Sequence, residues 1–516
     1  MGLSTLLSTT PRDQLFLILG AASVVLFFVY SVCLATYRLF FSPLSKFPGP
    51  KLAAITSWYE FYYDVILPAK YIFEIERMHK IYGPIVRINP HELSINDGDF
   101  YNKLYVTGNV RKTEAYSHFF CGLGLDDSHL LTQGHDLHRR RRKPLEPFFS
   151  RKGISNLQPL LADLSRQMME RLQALKGSGS IIQLDHLHLA YCTDLITKMS
   201  FDSYPTYLDQ GDFGAQWFNL LHSLLFSFPL FSNFPGLISV LRFIPKIVVS
   251  CMPHSHSLLV LENAAKQSIA TAVKENETKS AAANGKHTLF RHMLRSDMPE
   301  SELSPDRMVM EAKVMLAAGS FTPARTLDFV SYYVLSRPDI RNRLREEVKD
   351  VMAKFPDEVP TLSELEQLPY LQAVIKEGLR LSYGTMRRLP RVSPDMSLFY
   401  HDYHIPPGTP VGMSAYLVHT DPLIYKDPFK FDPERWLGDV DPLMNRNFVP
   451  FTKGSRSCLG MNLALAELYL VVALHCYQDA PELELFETNE SDVIPVHDFI
   501  GALPDVKSKG LRVRVL

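Results

Sequence analysis

Phe451, Gly454, Arg456, Cys458 and Gly460 fall within the run FTKGSRSCLG, and together they could do chemistry that none could do alone. A deprotonated cysteine is a strong, soft donor, and on a haem iron it pushes electron density that favours O–O cleavage. Gly454 and Gly460 permit tight turns and close approach of backbone to a flat cofactor, while Arg456 can pair with a cofactor carboxylate. The next residues, MNLALAEL, read as a helix. Cys458 then sits at a helix N-terminus, where free N–H groups and the positive dipole end favour thiolate over thiol. A second stretch, AAGSFTPART, places the hydroxyls of Ser320 and Thr322 beside Gly319 in an apolar run. A third, HDLHRRRRKPLEPFFS, sets His138 and Arg142 four residues apart, which is one face of one helical turn.

These groups need a scaffold, and the chain has the means to build one. It has 516 residues, 46% of them hydrophobic, and no Gly/Ser-rich linker divides it, which favours one large catalytic domain. Its 54 basic and 55 acidic residues balance, which argues against a nucleic acid as main partner. The cysteines at 33, 121, 192, 251, 458 and 476 have no framework spacing, which favours free thiols in a reducing compartment.

Leu15 to Tyr37 carries no charged side chain and is long enough at 1.5 Å per residue to cross a ~30 Å hydrocarbon core. No small-residue cleavage site follows, so residues 1–47 read as an uncleaved anchor with its flanks and 48–516 as the catalytic body. Arg38, Lys46 and Lys51 follow the span, whereas Arg12 and Asp13 before it cancel, which places the body in the cytosol. The sequons at Asn276 and Asn489 then never meet the lumen. Phe47-Pro48-Gly49-Pro50 cannot continue a helix and reads as a stiff hinge.

Within the body, YGPIVRINPHELSIND alternates around Asn89-Pro90 as a β-hairpin. Phe218 to Val249 is rich in Phe, Leu and Ile and broken by prolines, either core or a roof for apolar substrate. Lys274 to Lys286 is polar and small, a surface loop. Ser304 can cap and Pro305 can open a helix that runs to Arg337-Pro338. Inside it Pro323 denies Gly319 its usual donor, so a kink with a hydrated carbonyl is expected. Thr361 and Glu364 form a capping box, and Pro369 opens a helix whose buried face carries Leu371, Val374, Ile375, Gly378 and Leu379. Glu377 and Arg380 lie on that helix, and Asp432-Pro433-Glu434-Arg435-Trp436 follows.

The pattern F-x-x-G-x-R-x-C-x-G resembles the haem-binding loop of the cytochrome P450 family, with all five fixed positions present. Glu377-x-x-Arg380 and Pro433-Glu434-Arg435-Trp436 resemble that family's E-x-x-R and P-E-R-F. Ala318 to Pro323 resembles its oxygen-binding A-G-x-[D/E]-T-T, but Phe321 stands where the acid should be and Pro323 replaces the second threonine. The resemblance implies a mainly α fold with small β-sheets, the cytochrome P450 fold, preceded by one transmembrane helix. It implies Cys458 as ligand to the iron of haem b, with Phe451 and Gly460 against the cofactor. His138 (in place of a commoner Trp), Arg142, Arg391 and Arg456 would hold propionates, and Arg387 and Arg388 are left open. Glu377, Arg380 and Arg435 would form a buried cluster that positions the cysteine loop. Residues near Met386 and Leu389, and Phe499 to Leu503, would face substrate, and Phe218 to Val249 would lie near mobile access helices.

The implied activity is insertion of one oxygen atom from O2 into a lipophilic substrate, with electrons from NADPH–cytochrome P450 reductase. Outward members of Arg139, Arg140, Arg141 and Lys143 would receive that reductase. Thr322 and Ser320, with the Gly319 carbonyl and water, would carry the protons that a carboxylate otherwise relays. The detail is similar to fungal secondary-metabolite members such as the trichodiene-oxygenase group, which implies a terpenoid or polyketide substrate, the endoplasmic-reticulum membrane and contact with lipid. Two alternatives stay open: a rearrangement or dehydration on the same fold without O2, kept alive by Phe321, and a membrane-tethered haem-binding protein without catalysis.

Overall fold

Apolar residues at helical spacing dominate the chain, and the protein, here a computed structural model, is built from helices around one very long central one. The structure describes residues 12–119, 125–201, 205–234, 236, 255–278 and 288–516. In chain order the principal helices are α1 (Arg12–Thr36), α2 (Tyr71–Tyr82), α3 (His135–Arg142), α4 (Gln158–Gln173), α5 (Leu184–Ser200) and α6 (Ala215–Asn233). After them come α7 (Ser255–Thr278), α8 (Pro305–Ser336), α9 (Pro338–Val348), α10 (Pro369–Ser382) and α11 (Met461–Cys476).

Helix α8 is the axis of the body. Pro305 occupies its first turn, and the helix is continuous for 32 residues, Pro323 included, so the proline does not end it. Ser304 stands at the N-cap but makes no side-chain capping bond, contrary to expectation. Helices α5, α7, α10 and α11 pack around α8, and nearly every residue of α5 is buried. Two glycines allow the closest approaches. A Cβ on Gly319 would stand 2.8 Å from Ile196 of α5, and one on Gly378 would overlap Val330 of α8.

The strands are short. The hairpin read around Asn89-Pro90 is present as β1 (Ile85–Arg87) and β2 (Leu93–Ile95), antiparallel with Ile85 opposite Ile95. Asn89 Oδ1 accepts from the amides of His91 and Glu92, which closes the turn. Adding β3 (Glu114–Ala115), β5 (Arg391–Val392) and β8 (Pro410–Gly412) gives a five-stranded sheet ordered β1-β2-β8-β5-β3. Smaller sheets pair β4 (Ile181–Gln183), β12 (Arg512–Val515) and β9 (Leu483–Leu485), then β6 (Leu398–Tyr400) with β7 (Tyr403–Ile405), and β10 (His497–Phe499) with β11 (Gly501–Leu503).

Among the described residues one helix is long and apolar enough to cross a membrane, Phe16–Phe41, and no residue of its most apolar stretch is buried. The segment after it is fastened rather than hinged. The Arg87 amide donates to Pro48 O at 2.7 Å, and a side chain on Gly49 would overlap the Arg87 carbonyl. Leu44 and Phe47 already sit in a second apolar core with Ile85, Leu93 and Tyr403, so the packing of the body begins ahead of residue 48. Of the polar run Lys274 to Lys286, residues 274–278 extend α7 instead of forming a loop, and Arg295 Nε donates to Asn276 Oδ1 at 2.8 Å. The remainder of that run and residues 237–249 of the aromatic-rich stretch lie outside the described residues; its first part is α6.

Candidate active site

The cysteine loop is a tight backbone device. The Cys458 amide donates to Phe451 O at 2.9 Å, closing the loop, and Phe451 packs against the main core. Gly454 has φ +78, and a Cβ there would stand 2.5 Å from Val106 O, so only glycine lets the loop press on that backbone. Gly460 caps α11, and a Cβ on it would meet no protein atom within 4 Å. The Cys458 side chain is accessible. Even so, the protein atoms around it desolvate a thiolate and push its pKa up, opposed by the Gly460 amide and the Arg142 guanidinium. The backbone amide at the helix start and the Arg142 guanidinium thus act in the direction the sequence suggested, against the desolvation of the loop.

Charged groups converge beside this loop. Arg142 Nη1 donates to Ser457 O at 2.7 Å, the carbonyl next to the cysteine, and its Nε to Glu146 at 3.2 Å. Arg456 Nη1 donates to Thr132 O at 2.8 Å, and its Nε is buried without a partner. Burial, Arg391 and Arg142 push Arg456 down to about 9. Arg391 is buried against the Tyr105 ring at 5.3 Å and donates to the Pro390 carbonyl at 3.1 Å; burial lowers its pKa too. His138 is buried with Nδ1 unpartnered, and burial and then Arg456, His129, Arg142 and Arg391 push it down to about 2. Three guanidinium groups and an imidazole thus surround one spot, and among the described residues neither Arg391 nor Arg456 forms an ion pair. Such a cluster calls for an anion of more than one charge. A haem, with two propionates and an iron that takes a thiolate, fits this donor set.

The central helix packs against the helix that follows the cysteine loop. Ala318 and Thr322, four residues apart, are accessible in the middle of an otherwise buried helix. Thr322 Oγ1 donates to Ala318 O at 2.9 Å, which leaves its lone pairs toward the accessible side. Ser320 differs: it is wholly buried and its hydroxyl turns to Leu316 O at 2.8 Å, off the strip that Thr322 occupies. Gly319 packs against Ile196, which gives it a steric role. Phe321 is buried in an apolar satellite core with Ala69, Phe499, Leu503, Leu225 and Phe226.

Glu377, Arg380 and Arg435 do meet. The Glu377 carboxylate accepts from Arg380 Nε (2.9 Å) and Nη2 (2.7 Å), Arg435 Nε (3.0 Å), the Asp432 amide (3.0 Å) and Trp436 Nε1 (2.9 Å). Arg380 also donates to the carbonyls of His419 and Lys430 at 2.8 and 3.2 Å. His419 passes the connection on, because its Nε2 accepts the Val449 amide at 2.9 Å, two residues ahead of Phe451.

Other arginines find protein partners. Arg387 pairs with Asp64, and Arg388 with Glu60 at 2.6 Å and Glu92 at 2.9 Å, so both hold the body together. Arg141 turns inward to Glu302 at 2.7 Å and leaves Arg139, Arg140 and Lys143 exposed. Met386 is wholly buried and packs in the main core, whereas Leu389 is half-buried. Sequence reading missed a buried pair, His129 with Glu311, which also accepts the His129 amide and binds Arg307 at 2.7 Å. Against the upward push of burial, His129 and Arg307 hold that carboxyl below its usual range. A carboxylate inside the apolar run VMEAKVMLAA was the available signal.

The sequence profile described as Cytochrome P450 matches residues 57–475. A protein named cytochrome P450 monooxygenase oblB from Cochliobolus heterostrophus is 47% identical over 501 residues, 96% of each chain. The fusicoccadiene C-8 hydroxylase of Alternaria brassicicola is 46% identical, covering 98% of this chain and 97% of its own. Stellatic acid synthase from Emericella variicolor is 44% identical, covering 95% of this chain and 94% of its own.

Proposed function

The chain belongs to the cytochrome P450 family, an oxygen-incorporating oxidoreductase of the monooxygenase type, and on that premise we propose that it oxidises a cyclised terpene hydrocarbon of fungal secondary metabolism at a haem b held by Cys458. The observation that carries the reading is the convergence of His138, Arg142, Arg391 and Arg456 beside an accessible cysteine, with Arg391 and Arg456 in no ion pair among the described residues. A relative named for hydroxylating fusicoccadiene at C-8 supports a hydrocarbon polyene as substrate. Bound haem supplies reductive activation of dioxygen.

The chain's own residues prepare that chemistry. Cys458 gives its thiol proton to solvent on ligation, and the Gly460 amide and Arg142 stabilise the sulfur charge. Arg391, Arg456 and His138 bind the propionates, and Arg142 shares them. The Glu377 cluster holds Arg435 and, through His419 and Val449, fixes the height of the loop. Thr322 offers its hydroxyl at the accessible strip, and the Gly319 carbonyl, left without a donor by Pro323, holds water next to it. With Phe321 in the acid's place, Thr322 and this water deliver protons. Ser320 takes no part.

The span Phe16–Phe41 anchors the protein in the endoplasmic-reticulum membrane with the body that follows it in the cytosol, a reading supported by the basic excess after the span. The exposed Arg139, Arg140 and Lys143 receive an acidic face of NADPH–cytochrome P450 reductase. The test is incubation of reductase-supplied membranes with NADPH, labelled dioxygen and a panel of cyclised terpene hydrocarbons; a product carrying one labelled oxygen supports the reading. Phe321 favours one competing reading, rearrangement without O2. Turnover that proceeds undiminished without NADPH and reductase would establish it.

A further inference from the structure

The hairpin β10–β11 ends in a tip of one residue. Phe499 pairs directly with Gly501, which leaves Ile500 alone at the turn with φ +70. A β-branched residue rarely adopts that conformation, and where it does, the surroundings must impose it. Both shoulders of the hairpin are tied down. The Asp498 amide donates to Ala69 O at 2.8 Å, His497 Nδ1 bonds Pro68 O at 2.8 Å, and the Ala502 amide donates to Gly384 O at 3.4 Å. These bonds fix the strands along their length. They do not fix how far the tip stands off the central helix.

At the tip itself the hairpin meets the central helix closely. A Cβ built on Gly501 would overlap Phe321 Cε1 and stand 3.1 Å from Cζ, and its three nearest atoms all belong to the Phe321 ring. The ring in turn meets His222 of α6 edge-on at 5.5 Å, and Phe499 meets Phe226 of α6 at 4.9 Å. Ala69, Phe321, Phe499, Leu503, Leu225 and Phe226 make a satellite core in which Phe321 is the only residue from α8. Arg325, the arginine one turn on, is taken by Asp328 at 3.0 Å, so it is not free to pair with a carboxylate placed at 321.

We propose that Phe321, seated where Gly501 has no side chain, is a positioning residue that sets the height of the Ile500 tip over the accessible strip of α8 and so decides which bulky ligands fit there. The position that carries an acid in the family's pattern has become a wedge in this chain. The wedge deepens the monooxygenase reading and rests on it only for the identity of the ligands.

The test is a size swap in the full chain: Gly501→Ala, Phe321→Leu and the double variant. Hydrogen exchange of the Asp498 and Ala502 amides is measured in all four proteins, with or without haem. In the haem-loaded forms, optical titration compares clotrimazole, a bulky azole, with imidazole, a small one. Each single variant is expected to speed amide exchange and weaken clotrimazole binding by about tenfold, while imidazole binding stays within about twofold. The double variant is expected to return both to within about threefold of the parent, because the added methyl fills what the smaller ring vacates. Additive effects in the double variant, or a Gly501→Ala protein that matches the parent in exchange and in clotrimazole binding, overturn the proposal. If the chain takes up no haem, the monooxygenase reading fails, and the exchange cycle still decides the wedge.

Discussion

Removing the Glu377 side chain is the most demanding perturbation that the fold offers. This carboxylate is wholly buried and accepts five hydrogen bonds, from Arg380 twice, Arg435, Trp436 and the Asp432 amide. Glu377→Ala leaves the Arg380 guanidinium, itself without exposed surface, facing no counter-charge, and deprives Arg435 of its only carboxylate among the described residues. Breaking a buried pair from one side costs ~3–5 kcal/mol, a fifth or more of a stability of ~5–15 kcal/mol. Trp436 reports directly, because its indole N–H loses its acceptor. The assay is urea unfolding followed by tryptophan fluorescence, with haem content measured in parallel. Glu377→Gln should cost less than Glu377→Ala, and Glu377→Leu with Arg380→Leu less than Glu377→Leu alone, because the double change leaves one fewer orphaned cation. A Glu377→Ala protein that keeps its full haem and loses under ~1 kcal/mol would refute the reasoning.

Arg391→Met should change sign with loading: without haem it stabilises by about 1 kcal/mol, since a buried cation lacking a carboxylate is removed, yet it weakens haem binding by about tenfold or more; thermal unfolding of both forms and a haem titration read the two effects. Thr322→Ala should alter stability by under ~1 kcal/mol, because its accessible hydroxyl bonds only Ala318 O, while product per NADPH falls at least about tenfold and peroxide appears. Burial, with Arg380 beside it, pushes His419 down to about 3. Between pH ~6.5 and 3 the unfolded chain therefore binds a proton that the folded chain does not, so this stabilisation is present above ~6.5 and fades by ~1.4 kcal/mol per unit as pH falls. Asp185 and Asp498, pushed up by burial to about 8 and about 7, act oppositely, so the His419 contribution is read as a stability gap between parent and His419→Gln that narrows below pH ~6.5 in urea titrations.

What the sequence made legible was local. The cysteine loop, the helix opened by Pro305, the capping box at Thr361 and the hairpin at Asn89 each depend on residues within about ten positions, and all are present. Glu377 and Arg435, 58 positions apart, were reached only through their motifs. What stayed hidden was partner choice across the chain. Nothing near Arg388 announces Glu92, 296 positions away, and a run of four arginines does not say that Arg141 alone turns in toward Glu302. Side-chain direction was equally hidden: Ser320 and Thr322 are two residues apart, yet one hydroxyl is sealed in the core while the other borders accessible space. Phe321 read as a missing acid, and only packing reveals what the ring does against Gly501.

Iron K-edge X-ray absorption of the freshly purified, haem-loaded protein tests the central claim most directly. Ligation by Cys458 predicts one sulfur in the iron's coordination shell, lost in Cys458→Ser. A shell of nitrogen and oxygen alone in the parent, or a sulfur that persists in Cys458→Ser, would contradict it.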